Sequence, residues 1–109
     1  LHPTAIAQKV EVIVEHFLRH VADELDGQAK AMVVTQSRIH ALKYYQAIRK
    51  YIEDKKYQGV KPLIAFSGEL NDEGSVYTEA QINGFAETEL PEKFDGKDYQ
   101  LLIVAEKYQ

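Results

Sequence analysis

The chain has 109 residues, 45% of them hydrophobic, no cysteine, and a formal net charge of -4. That length buries one core of single-domain size, and the missing cysteine removes disulfides, thiolate metal sites and a cysteine nucleophile together. Net negative charge does not suit a free-standing DNA binder, whose affinity comes from clustered Lys and Arg. No apolar run approaches the ~20 residues that span a bilayer, and no basic leader opens the chain, so a soluble, cytoplasmic protein without a membrane partner is expected.

In chain order, His2-Pro3-Thr4 opens a helix, with Thr4 placed to cap the first turn. Ile6, Val10, Ile13, Val14, Phe17 and Val21 follow at helical spacing, and Asp26-Gly27 is expected to end the helix. Residues 31–35 (AMVVT) read as a strand buried on both faces, because their apolar residues are continuous. Ser37 is placed as the N-cap of a second helix, in which Ala41, Tyr45, Ile48 and Ile52 share one side, reaching about Lys55 before Gly59 breaks it. Residues 63–66 (LIAF) form a second buried strand. The acidic stretch 67–75 (SGELNDEGS) has no period and reads as a loop. Thr78 caps a short helix to Gly84, residues 91–94 add one helical turn, and Asp95-Gly96 leads into a final strand, 101–105.

Strands separated by helical segments predict parallel pairing with right-handed crossovers. The fold class is therefore α/β, a three-layer parallel sheet flanked by helices. Three strands are few for that architecture, so the sheet reads as part of a larger one.

Functional edges of such sheets lie at the carboxyl ends of the strands. Here that edge comprises Thr35, Ser37 and Arg38 after the first strand, Ser67 and Gly68 after the second, and Ala105, Glu106 and Lys107 after the third. Two hydroxyls, the amides of a helix N-terminus and an adjacent Arg make a workable phosphate cradle. Ordinary capping by Ser37 explains the same residues more simply.

Two metal patterns fail on inspection. Glu69, Asn71, Glu73 and Gly74 occupy positions one, three, five and six of an EF-hand loop, but Ala80 stands where its bidentate Glu is needed. His16 and His20 have a zinc-like spacing without a third ligand or the Glu of H-E-x-x-H. The sequence also contains no G-x-x-x-x-G-K-[ST] phosphate loop and no nucleophile elbow. No catalytic residue, metal ligand or cofactor site is assigned to this chain.

The segments KAMVVTQSRIHALKYYQAIRKYIEDK, KPLIAFSGEL and FAETELPEKFDGKDYQLLIVAEKYQ resemble, in that order, the second RecA-like motor domain of the R (restriction and translocation) subunit of type I restriction-modification enzymes. The helix over residues 1–28 is similar to the segment that precedes that domain, and residues 29–109 to its α/β core, truncated within motif V. The resemblance implies a bacterial or archaeal superfamily 2 helicase-type motor with endonuclease activity elsewhere in the subunit. It also implies double-stranded DNA, a first motor domain of the same chain, and modification and specificity subunits as partners. Residues 33–38 match motif IV, which makes Thr35, Ser37 and Arg38 DNA-backbone contacts; Ser67 and Gly68 match the next strand-end loop. Residues 101–109 match the opening of motif V, with Ala105, Glu106 and Lys107 at the strand end. ATP and Mg2+ belong to the parent protein and none to this fragment, which is expected to be inactive alone.

Two rival classes use the same residues. One is a small α/β domain whose strand-end edge binds an anionic metabolite or a protein partner; the other is a structural adaptor. A truncated motor domain differs from both in predicting an exposed sheet edge near residues 101–105 that tends to pair with itself.

Overall fold

The computed structural model describes residues 2–105, apart from the side chains of residues 26 and 27. Helices α1 (Pro3–His20) and α2 (Arg38–Lys55) flank a parallel sheet of β1 (Ala31–Thr35), β2 (Pro62–Ala65) and a last strand, Leu101–Ala105. Between β2 and that last strand the chain makes a hairpin, β3 (Glu69–Asp72) and β4 (Ser75–Thr78), then the short helices α3 (Glu79–Asn83) and α4 (Leu90–Asp95). The last strand is therefore β5, and the sheet order is β1-β5-β2. The α/β class, the parallel sheet and its flanking helices agree with the sequence reading.

Pairing runs Ala31 with Leu101 through Thr35 with Ala105 on one side of β5, and Pro62 with Leu101 through Ala65 with Val104 on the other. One sheet face, with Ile64, Phe66, Leu101, Ile103 and Ala105, packs into the main core. There it meets Ala41, Leu42, Tyr45 and Ile48 of α2 and Ile6, Val10, Val14 and Phe17 of α1. Burying each large aliphatic of this set contributes about 1.5–3 kcal/mol, so the apolar stripes of both helices are the main reason they dock.

Ser37 caps α2, its Oγ accepting the His40 N–H at 3.2 Å, and the helix ends at Lys55, as the spacing predicts. Thr78 caps α3 through a reciprocal capping box with Gln81, and Gly84 ends it in the left-handed conformation.

Six expectations are corrected. The cap of α1 is His2, whose Nδ1 accepts from the Thr4 N–H, because Pro3 already occupies the first helical position. That helix stops at His20, and a short 3-10 turn over Glu24–Gly27 follows. The C-cap of α2 is Lys56, left-handed at φ 58°, ahead of Gly59. Strand β1 is not buried on both faces: Met32 and Val34 are 59% and 60% exposed, since β1 is an edge strand and the sheet face they share is uncovered there. The acidic stretch is no loop but the β3–β4 hairpin, turned by Glu73 and Gly74, both at positive φ as a tight two-residue turn requires. Strand β5 is not an exposed edge, because β1 and β2 pair with it from either side.

The two true edges differ. In the ladders, Ala31 donates its N–H to the Gln100 carbonyl, so Ala31, Val33 and Thr35 face β5 while Met32 and Val34 turn their backbone groups outward. On β2 the outward residues are Pro62, Ile64 and Phe66. Pro62 has no N–H to leave unpaired. Ile64 is met on both groups by the Asn83 side chain, and the Phe66 N–H is accepted by Glu79 Oε1 at 3.0 Å. Among the described residues nothing comparable covers Met32 and Val34.

Candidate nucleic-acid interface

The carboxyl ends of β1 and β2 deliver the predicted residues to one side of the molecule. Thr35, the last residue of β1, is only 7% exposed. Its hydroxyl proton is shared between the Val104 carbonyl at 3.0 Å and the Ser37 carbonyl at 3.2 Å, so it stitches β1, β5 and the start of α2 together. Ser37 Oγ is held both by the His40 N–H and by His40 Nδ1 at 2.8 Å. The Thr35 hydroxyl proton is thus engaged internally, and Ser37 Oγ is tied to His40 as the cap of α2.

Arg38 is placed differently. As the first residue of α2 it reaches across to β2 and donates from Nη1 to the Ser67 carbonyl at 3.1 Å. Gly68 follows at φ +73°, and a Cβ built there would stand 3.6 Å from the Arg38 guanidinium. The two strand-end segments are therefore joined by one side chain, and the turn that receives it needs glycine's left-handed conformation. The amides of Arg38 and Ile39 have no hydrogen-bond partner among the described residues, as expected in the first turn of an 18-residue helix.

The hairpin, which sequence reasoning missed, forms the outer wall. Ser37, Arg38 and Ile39 share a shallow hollow with Glu69, Leu70 and Asn71. Leu70 anchors the hairpin in the core, and Lys43 of α2 pairs with Asp72 at 3.1 Å. The signal was present in the sequence as a buried Leu70 and a Gly two residues after Asp72, but Glu-Gly is a weaker turn pair than Asn-Gly or Asp-Gly. Glu69, an acidic residue, lines the same hollow as Arg38.

Ala105 is buried at the end of β5, opposite Thr35. Glu106 and Lys107 lie outside the described residues. Asn83 and Glu79 were not singled out from the sequence, yet they fix the strand that leads into Ser67. Burial holds the Glu79 carboxyl above its usual range, against the opposing effect of the Phe66 amide.

Neither metal pattern gains a ligand set. Glu69 and Asn71 lie on a β-strand instead of a calcium-binding loop, and the rings of His16 and His20 lie tilted at 44° with centroids 5.0 Å apart. Among the described residues no group of three His, Asp or Glu side chains is gathered to hold a cation, and no helix is long and apolar enough to cross a membrane.

No family model, curated protein or solved structure matches the chain. What the fold defines is the class: a mixed α/β protein with a small parallel sheet flanked by helices.

Proposed function

We propose that this chain is part of the ATP-dependent DNA-translocating motor of a type I restriction enzyme R subunit, a segment of its second RecA-like domain. There it supplies contacts to the DNA backbone. The observation that carries the reading is the Arg38 bridge to the Ser67 carbonyl, which unites the two strand-end segments matched to DNA-facing loops. The order of VVTQSRIHALKYY, AFSGEL and YQLLIVAEKYQ along the chain supports it independently.

Within this reading Arg38 and the amides of Arg38 and Ile39 bind phosphate, while Thr35 and Ser37 hold the loop in shape and Gly68 lets the backbone approach. ATP and Mg2+ are held by other parts of the subunit, since this sequence has no phosphate loop. Their chemistry is phosphoryl transfer, and no step of it runs through these residues.

In the intact subunit, Arg38→Ala is expected to lower DNA-stimulated ATPase several-fold more than basal ATPase, and to flatten the salt dependence of DNA binding by about one counterion. Equal loss of both activities would sink the assignment. Magnesium-dependent ATP hydrolysis by the purified 109-residue chain would contradict it as well.

A second reading is a small domain binding one anionic group at the same place. The small size of the hollow, lined by six residues, favours it over an extended backbone track. It predicts saturable binding of a small anion with a salt slope of about one, where a backbone track gives several.

A further inference from the structure

We propose that the cleft at the amino ends of β2 and β5 is a second ligand site, which takes a small organic anion with a planar ring, of the nucleoside monophosphate class. It lies at the end of the sheet opposite the strand-end residues and stands without the DNA reading.

The end of α2, the connection into β2, and α3 surround this cleft, whose volume of about 750 Å3 suits a small molecule. Its floor is apolar, made by Val60, Pro62, Leu63 and Ile82. No β1 residue is among those that line it. Further strands of a larger sheet would add beyond β1, because Pro62, Asn83 and Glu79 already close the β2 edge. The cleft is therefore on the side of the sheet that ends here.

Tyr45 is the residue that points to a ligand. Its side chain is buried, at 6% exposure, yet its hydroxyl opens on the cleft and no described residue accepts its proton. Its charged neighbour is Arg49, whose guanidinium lies 5.7 Å from the ring centroid. A guanidinium only donates, so the phenol proton stays free. Burial pushes the Tyr45 phenol up, with Arg49 opposing, which keeps it a neutral donor at neutral pH. A nearly enclosed hydroxyl with an unused proton, next to a cation, calls for an acceptor that is also an anion.

The rim agrees in sign. Lys56 and Lys61 join Arg49 there against the single carboxylate of Glu53, on a chain whose net charge is -4. Helix α2 ends at this rim, and bare carbonyls at its C-terminus would repel an anion. The Ile52 and Glu53 carbonyls, however, accept the Tyr57 and Lys56 N–H groups, which closes that end. Tyr57 and Tyr99 add aromatic walls, each held by an edge contact, with Tyr51 at 6.2 Å and Phe85 at 6.3 Å. Aromatic walls over an apolar floor select a flat ring, and three cations at the rim select a phosphate monoester attached to it.

The test is a residue-resolved NMR titration of the full 109-residue chain with adenosine monophosphate through about 1 mM, the weak end of the affinity scale. Adenosine and inorganic phosphate are titrated separately. The expected result is saturable shifts of the Tyr45 and Tyr99 rings and of the Val60 and Ile82 methyl groups, with either half of the ligand binding there about tenfold or more weakly. Arg49→Ala, at an exposed position, should weaken the nucleotide about tenfold. Tyr45→Phe should weaken it about fivefold and leave the thermal transition no lower than the parent's, because the lost hydroxyl donates to nothing in the protein. Shifts of the Arg38 and Gly68 amides report the strand-end site, so the two sites succeed or fail separately. Absence of saturable shifts in the cleft overturns the proposal, as does adenosine binding there as tightly as its monophosphate. Unchanged affinity in Arg49→Ala and Tyr45→Phe overturns it too, by placing the nucleotide elsewhere.

Discussion

Asn83 grips Ile64 by both of its backbone polar groups: Oδ1 accepts the Ile64 N–H at 3.1 Å and Nδ2 donates to the Ile64 carbonyl at 2.8 Å. A side-chain amide has the donor and acceptor of a peptide group, so one residue of α3 does for β2 what a neighbouring strand would do. Removing it leaves a half-buried N–H and C=O with no partner. Asn83→Ala is expected to cost about 1–3 kcal/mol, read from urea denaturation of the dilute protein. Asn83→Asp keeps the acceptor but sets a carboxylate against the Ile64 carbonyl, and should be at least as damaging at neutral pH. If Asn83→Ala unfolds at the same urea concentration as the parent, water replaces the amide and β2 needs no plug.

The plug also illustrates what the sequence does and does not disclose. Local signals were legible because they act within a few residues: Ser37 before Arg38, the Thr78 and Gln81 pair, and the apolar stripe of α2 each fix an element alone. The strand order was not legible. Residues 101–105 read as an edge, and only long-range pairing reveals that β5 lies between β1 and β2. The one-sided exposure of β1 follows from that order, so AMVVT looked like a buried strand when it is an edge strand. At the site, the residue types at the strand ends were legible, but their partners were not. Thr35 and Ser37 look like phosphate ligands until the Thr35 hydroxyl is seen to donate to the Val104 carbonyl and Ser37 Oγ to accept the His40 N–H.

Glu79 supplies a second prediction on the same edge. Its carboxylate is only 5% exposed and has one backbone amide to accept from, so burial raises its pKa in the folded state. A raised carboxyl pKa means the folded state holds the proton more tightly than the unfolded chain. The group's contribution to stability is therefore largest below the unfolded value, near 4.3, and declines as pH rises through the folded value. Glu79→Gln keeps an oxygen for the Phe66 N–H and removes the charge. The variant is expected to be as stable as the parent or more so at pH 7, with the difference shrinking toward pH 4. Glu79→Ala should lose about 1–3 kcal/mol at both pH values, because the Phe66 amide is then left unpaired. Paired urea titrations at pH 4 and pH 7 separate the two outcomes.

On the far side of the core, one carboxylate ties the two long helices together. Glu15 Oε2 of α1 accepts from the hydroxyls of Tyr51 and Tyr57, each at 2.6 Å. The Tyr51 and Tyr57 phenols hold the Glu15 carboxyl below its usual value, with Arg19 and Lys55 helping. Glu15 in turn pushes both phenols upward, with burial adding to the effect. The signs give a two-sided window. The Glu15 contribution is present above about 4.3 and is lost as pH falls through the lower folded value. The tyrosine contribution is fully present below about 10 and is lost as pH rises through the higher folded values. The double variant Tyr51→Phe, Tyr57→Phe should therefore show a flatter acid limb, and Glu15→Gln a flatter alkaline limb. Thermal transitions followed from pH 3 to pH 11, chosen to bracket these ordinary values, provide the measurement; parallel curves for parent and variants would show that the contact carries no linkage.

The last prediction separates architecture from binding at the strand ends. Arg38 touches Ser67 through one guanidinium nitrogen on the surface, a contact whose loss should change stability by no more than about 0.5 kcal/mol. Ser37 and Gly68 are different. Ser37→Ala removes the cap of an 18-residue helix and should cost about 1 kcal/mol. Gly68→Ala forces a Cβ onto a φ of +73°, and should cost about 1–2 kcal/mol even though the nearest atom, Arg38 Nη1, is at an acceptable 3.6 Å. If anion binding lives on Arg38 and the first-turn amides, Arg38→Ala should weaken it about tenfold or more in a protein of parental stability, the amides holding the remainder. Gly68→Ala should weaken it only as far as the Ser67 carbonyl moves away from the guanidinium. Adding Gly68→Ala to Arg38→Ala should then reduce stability further but binding no further, since the loop acts on the anion only through the arginine it positions. Isothermal titration with inorganic phosphate, beside thermal melts of the three variants, resolves the two effects. A further fall in binding on adding Gly68→Ala to Arg38→Ala would mean that the 67–68 backbone meets the anion directly.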